Sequence, residues 1–122
     1  MNMASDRILP SIKHQLDQKD AGRDVYDDGY LRVEHDNYYV TCDGKRIQLS
    51  LKEFLILSRL ARNPGRVVPA EELWQHAWGH EIPFNGGSLR AHMCNLRRKF
   101  ISLGISIESM VNVGYYLLAA RP

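Results

Sequence analysis

Ser50-Leu51-Lys52-Glu53 stands directly ahead of a dense apolar run, and together they dictate a helix that neighbouring elements must surround. The Ser50 hydroxyl can accept from the amide three residues on. Glu53 can reach back to the Ser50 amide, which satisfies a second donor that a helix start leaves open. Leu51, Phe54, Leu55, Ile56, Leu57, Leu60 and Ala61 follow, and Asn63-Pro64-Gly65 stops the helix. Apolar side chains on more than one side of a helix need more than one covering layer. This is the core helix, and the rest of the chain has to cover it.

Upstream the cover is a sheet. From Gly29 the pattern turns to strands: Tyr30–Glu34 and Tyr38–Cys42 are β-branched and aromatic, separated by the turn-prone His35-Asp36-Asn37. Asp43-Gly44 is a two-residue hairpin signal, and Lys45–Leu49 returns with Ile47 and Leu49 on one face. Residues 1–28 are polar and mixed in charge. They read as a linker or tail, either disordered or carrying a short helix on Ile8, Ile12 and Leu16 behind Pro10. The folded domain is placed at 29–120, with Asp27, Asp28 and His35 as surface residues.

Downstream come two helices and a hairpin. Val67-Val68 is extended, Pro69 opens a helix over Pro69–Trp78, and Glu71 and Glu72 sit near its positive end. Leu73, Ala77 and Trp74 face inward, and Gly79 closes it. After the loop His80–Gly86, a third helix over Ser88–Leu103 places Leu89, Met93, Leu96 and Phe100 in one stripe at about 100° per residue. Ala91, Cys94, Asn95 and Arg98 fall opposite; Arg90, His92, Arg97 and Lys99 lie on the flanks. Gly104 ends this helix. A hairpin over Ile105–Ala119 follows, turning at Asn112, which tolerates left-handed backbone.

Charge is unevenly spread along these elements. Residues 1–53 hold 8 Lys/Arg against 10 Asp/Glu, whereas residues 54–122 hold 8 against 4. No acidic residue lies between Glu81 and Glu108, where Arg90, Arg97, Arg98 and Lys99 all fall. From charge alone, a polyanion-binding face and an ordinary solvated helix face fit equally well. The order sheet, three helices, hairpin, with a basic outer side on the third helix, suits the DNA major groove, which admits one α-helix. Small residues at Ser88 and Ala91 allow close approach. Asn95 is suited to an adenine edge and Arg90 to guanine, while Arg97, Arg98 and Lys99 supply phosphate neutralisation.

The stretches LSLKEFLILSRLARNPGRVV, EELWQHAWG, SLRAHMCNLRRKF and NVGYYL resemble the C-terminal effector domain of OmpR/PhoB-type response regulators. The resemblance implies an α+β winged helix-turn-helix: a four-stranded antiparallel N-terminal sheet, three helices and a C-terminal β-hairpin wing. It implies sequence-specific double-stranded DNA binding in bacterial transcription regulation. The third helix would enter the major groove, with the wing on the adjacent minor groove or backbone. Residue by residue, it puts Ser88, Arg90, Ala91 and Asn95 toward bases. His92, Arg97 and Arg98 go to phosphates, Trp78 to a phosphate beside the helix turn, and Tyr115 to the wing. The loop residues His80, Glu81, Ile82, Pro83, Phe84 and Asn85 correspond to a stretch that contacts RNA polymerase in activators. Two copies would bind tandem half-sites, and relatives carry a receiver domain ahead of this one.

The chain departs from that family in three places. Cys94 and Asn95 are uncharged where the family carries an arginine. Val111-Asn112-Val113-Gly114-Tyr115 keeps the wing turn but lacks the wing arginine, and Pro69 replaces a Ser/Thr helix cap. Each lost phosphate contact lowers the magnitude of the salt slope by about 0.9. The alternative function is therefore a winged-helix docking module for RNA polymerase or a regulatory partner.

Enzyme readings find no support. The chain has no Gly-rich phosphate loop, GxSxG, HExxH or spaced Cys/His ligand set, so neither metal nor cofactor is expected. His92 and Cys94 are two positions apart on one helix and cannot face each other. Cys42 and Cys94 are far apart in sequence and fit a reducing cytoplasm, although one disulfide stays open. No run approaches the roughly 18 apolar residues of a membrane span, and no small-molecule substrate is indicated.

Overall fold

In the computed structural model, residues 24–118 are described. Four strands form an antiparallel meander, β1 (Val25–Asp27), β2 (Leu31–Glu34), β3 (Tyr39–Cys42) and β4 (Lys45–Arg46), hydrogen-bonded in that order. Alternation along each strand decides its faces: Leu31, Val33, Val40 and Cys42 are buried, and Arg32 on the outer face pairs with Asp27 and Glu34, each at 3.0 Å. Asp43 and Gly44 both take positive φ, 53° and 81°, as a primed hairpin turn requires. The helix expected on Ile8, Ile12 and Leu16 lies outside the described residues, as does Ala119.

Two sequence expectations shift here. The sheet begins at Val25, inside the 1–28 segment, because Val25 and Tyr26 pair with Glu34 and Val33. Asp28 accepts from the amides of Tyr30 and Leu31 at 2.9 and 2.7 Å and so makes the turn between β1 and β2. At the other end the strand expected to reach Leu49 stops at Arg46, although the Ile47 amide still donates to Val40 and both Ile47 and Leu49 pack against the core.

Helix α1 (Leu51–Ala61) has its reciprocal cap: the Glu53 amide donates to Ser50 Oγ at 3.2 Å, and the Ser50 amide donates to Glu53 Oε1 at 2.9 Å. Phe54, Ile56, Leu57, Leu60 and Ala61 are buried between the sheet and the other helices. Ser58 is buried too, and its hydroxyl hydrogen-bonds His35 Nδ1 at 2.6 Å. His35, expected at the surface, is thus a core-facing residue. It continues the Leu31, Val33 alternation by one more step, which aims its ring at α1.

Strand β5 (Val68–Pro69) leads into α2 (Ala70–Trp78), then α3 (Gly86–Ile101), β6 (Ser106–Met110) and β7 (Gly114–Leu118), with a second sheet in the order β5-β7-β6. Pro69 sits at the cap position ahead of α2 and offers no side-chain cap; the Ala70 amide donates instead to the Val113 carbonyl at 3.1 Å. The hairpin turns at Asn112 with φ 65°. Gly114 is required where it stands, since a Cβ there would come 1.9 Å from the Val68 carbonyl oxygen. Helix α3 starts at Gly86, ahead of the expected Ser88, because Asn85 Oδ1 accepts from the Ser88 amide at 3.0 Å. It ends at Ile101, short of the expected Leu103, and Gly104 follows with φ 76°. Leu89, Met93, Leu96 and Phe100 pin it to a core shared with Leu57, Leu73, Ile107 and Leu117.

Candidate nucleic-acid interface

With its apolar stripe buried, α3 turns Ala91, Cys94, Asn95 and Arg98 outward, and all four are exposed. They form a single surface strip. The Arg98 guanidinium lies back along the helix, donating to Asn95 Oδ1 at 3.1 Å and to Cys94 Sγ at 3.7 Å. Ser88, in the first turns, is half-buried. Its carbonyl accepts from His92 Nδ1 at 2.8 Å, which fixes that imidazole against the helix.

Arg90 is exposed but directed elsewhere. A Cβ on Gly86 would come 3.3 Å from its guanidinium, so the side chain runs back toward the start of α3. There it borders an open groove of about 610 Å³ between α3 and the hairpin, together with Phe84, Pro69, Met110, Asn112 and Tyr115. The far wall of that groove is apolar: Met110, Val111 and Val113 are exposed at the hairpin turn.

Two expected phosphate ligands are engaged inside the fold. Arg97 donates from Nε to the Ile107 carbonyl at 2.8 Å and from its terminal nitrogen to Ser109 Oγ at 2.6 Å, with its guanidinium carbon 5.3 Å above the Tyr115 ring. Lys99 donates to Glu53 Oε1 at 2.6 Å and to the Gln48 carbonyl at 3.1 Å. Burial pushes the Glu53 carboxyl pKa up. Lys99 and the Ser50 amide outweigh burial and hold it below the ordinary carboxylate value. Arg97 therefore fastens α3 to the hairpin, and Lys99 fastens it to the start of α1.

A second patch forms beside the helix turn. Trp78 stacks on Trp74 at 4.0 Å and 8°, takes the His92 ring edge-on at 5.0 Å, and has the Lys52 ammonium 5.1 Å from its centre. Lys52 also donates to the Ala77 carbonyl at 2.8 Å, near the negative end of α2. Lys52 was not singled out from the sequence, where it appears only within the Ser50-Leu51-Lys52-Glu53 cap. Its signal was positional: α1 packs on α2, and the side chain two residues into α1 meets the end of that neighbour.

The loop after α2 is held in shape. Trp74 Nε1 donates to the Ile82 carbonyl at 2.8 Å, and Phe84 meets Trp74 edge-on at 5.8 Å. His80, Glu81, Ile82, Pro83, Phe84 and Asn85 are all exposed, with Asn85 also serving as the α3 cap.

Comparison with known proteins places this arrangement. Residues 44–117 match the family described as "Transcriptional regulatory protein, C terminal". The sensory transduction protein RegX3 of Mycolicibacterium smegmatis is 35% identical over 95 residues, covering 76% of this chain and 42% of that protein. The chain thus spans less than half the length of this relative. Among solved structures, the response regulator DrrB of Thermotoga maritima, an OmpR/PhoB homologue, is 31% identical with a TM-score of 0.66, covering 88% of this chain and 49% of that one. The DNA-binding domain of CpxR from E. coli is 25% identical with a TM-score of 0.66, covering 80% of this chain and 99% of that domain. With most of its described length inside the family match, and the sheet, three helices and hairpin in place, the chain belongs to the C-terminal family of transcriptional regulatory proteins as an OmpR/PhoB-type winged-helix effector domain.

Proposed function

We propose that this domain binds double-stranded DNA sequence-specifically to regulate transcription, with α3 in the major groove and the β6–β7 hairpin on the adjacent minor groove or backbone. The observation that carries this reading is the outward strip of α3: Ala91, Cys94, Asn95 and Arg98 stand exposed on a helix whose opposite stripe is buried and which bears no acidic residue. The DNA-binding domain of CpxR, of the same fold, supports it. Ser88, Ala91 and Asn95 lie toward bases, with Arg90 at the groove edge. Arg98, Lys52, His92, Trp78 and Tyr115 border the backbone path, and Arg97 and Lys99 keep α3 seated.

Selection of bound sites from a random duplex pool tests the proposal. A reader of sequence enriches one motif that survives competitor DNA; a folded protein that enriches nothing at low salt does not read DNA. The docking alternative draws on the exposed Ile82 and Phe84 in the loop after α2, a surface that suits RNA polymerase. Under that alternative alone, DNA binding is weak, sequence-blind and abolished by salt. Occupancy of tandem half-sites by two copies belongs to the same proposal, and protection of paired, evenly spaced half-sites in footprints checks it.

A further inference from the structure

We infer that DNA binding by this domain draws one proton from solvent onto His92 Nε2, so that affinity falls as pH rises through neutrality. The inference rests on the DNA-binding reading above and adds a regulation of that same face. A carbonyl oxygen only accepts, so the 2.8 Å contact between His92 Nδ1 and the Ser88 carbonyl places a hydrogen on Nδ1. In the neutral ring Nε2 is then a bare acceptor, and among the described residues nothing hydrogen-bonds to it. The Trp78 ring lies edge-on to the imidazole at 5.0 Å and 84°, and the two contacts together hold its orientation.

The phosphate oxygens of DNA accept hydrogen bonds and have none to donate. Against neutral His92 they meet lone pair with lone pair. An imidazolium donates from both nitrogens, so it keeps the Ser88 bond and offers Nε2–H to the phosphate. A flipped ring that turned Nδ1–H outward instead would forfeit the Ser88 bond. The charged groups around the imidazole favour an anion. From α1, the Lys52 ammonium lies 5.1 Å from the centre of the same Trp78 ring, and from α2 the neighbour is the uncharged Trp78 itself. On α3, Ser88, Leu89, Asn95 and Leu96, three and four positions away, carry no charge. Among the described residues neither Lys52 nor His92 pairs with a carboxylate. A phosphate at Trp78 therefore meets one permanent cation and one that its own field completes. Histidine is the side chain whose ordinary titration crosses neutral pH, so the proton is held below neutrality and lost above it.

The test titrates the whole chain, wild type and His92→Gln, onto a duplex carrying the motif that site selection enriches, at constant ionic strength from about pH 6 to about pH 8. Wild-type affinity is expected to fall about tenfold across that range, the size of one charge-assisted hydrogen bond, while His92→Gln stays within about twofold. Calorimetry in two buffers of different ionisation enthalpy reads the proton directly. Near about pH 7.5, uptake approaches about one proton per wild-type domain and vanishes in His92→Gln. A residue that only braced the fold would weaken binding at every pH and leave the proton count unchanged. Should His92→Gln melt below the working temperature, the wild-type imidazole is titrated by NMR with and without duplex; a midpoint raised by DNA supports the inference and an unchanged one overturns it. Wild-type affinity that is level across the range, or proton uptake that persists in His92→Gln, overturns the inference and leaves the DNA-binding reading standing. A wild-type chain that enriches no motif at any pH overturns that reading and this inference with it.

Discussion

Glu53 shows how one side chain links the C-terminal end of α3 to the start of α1. Its carboxylate caps α1 and, although it is only 5% exposed, receives the ammonium of Lys99 from the far end of α3. Lys99→Met should cost about 1–3 kcal/mol in denaturant unfolding at pH 7, because it leaves a buried carboxylate short of a partner. The folded pKa of Glu53 lies below its unfolded value, so this contribution is present above the ordinary carboxylate range and fades as pH falls through the folded pKa. Wild type and Lys99→Met should therefore converge in stability toward strong acid; a gap that stays constant would reject the ion-pair account.

His35 gives a dependence of the same sign, but in the neutral range. Burial first, then the Arg62 guanidinium, hold its pKa below that of a free histidine, so the unfolded chain takes up a proton that the folded chain refuses. Stability is complete above the unfolded value of about 6.5 and declines as pH drops from there toward the folded pKa. Burial, Arg59 and Arg62 lower His76 in the same way, so the two share the effect. In thermal melts, His35→Gln should flatten part of the decline between pH 7 and 5. An identical slope would assign the whole of it to His76.

At the scale of elements, the junction between β5, α2 and the hairpin leaves no room for a side chain at Gly114. Gly114→Ala drives a Cβ into the Val68 carbonyl, which must split β5 from β7 and pull Val113 off the first amide of α2. The expected loss is about 3 kcal/mol or more by denaturant titration, and an unperturbed Ala variant would show that this contact is looser than described. Elements were also where the sequence was most legible. The α1 cap and the α3 stripe depend on neighbours within four residues, and Leu89, Met93, Leu96 and Phe100 are buried as their spacing requires. Pairings between distant residues could not be read in this way. Val25 and Tyr26 become a strand only through β2; Ala70 finds its cap in Val113; and Arg97 and Lys99 look like free cations until the hairpin and α1 arrive beside them. His35 was within reach, as the next position on the Leu31, Val33 face.

For the molecule as a whole, these internal engagements set the electrostatics of binding. With Arg97 and Lys99 committed to the fold, the cations on the proposed DNA face are chiefly Lys52, Arg90 and Arg98, and the logarithm of affinity should fall with the logarithm of salt at a slope of about −3. A slope of about −4.5, measured by titration on one selected site, would mean that the Arg97 and Lys99 contacts open when DNA binds.

The Arg97 clasp has a further mechanical meaning. It bolts the hairpin to α3 through the Ile107 carbonyl and the Ser109 hydroxyl, so the two prongs of the domain keep a fixed span, like a caliper locked at one setting. Under the proposed function, a duplex whose groove spacing does not suit that span has to twist or bend to be gripped. Stretches of DNA that deform cheaply then gain an advantage at base pairs the protein never touches.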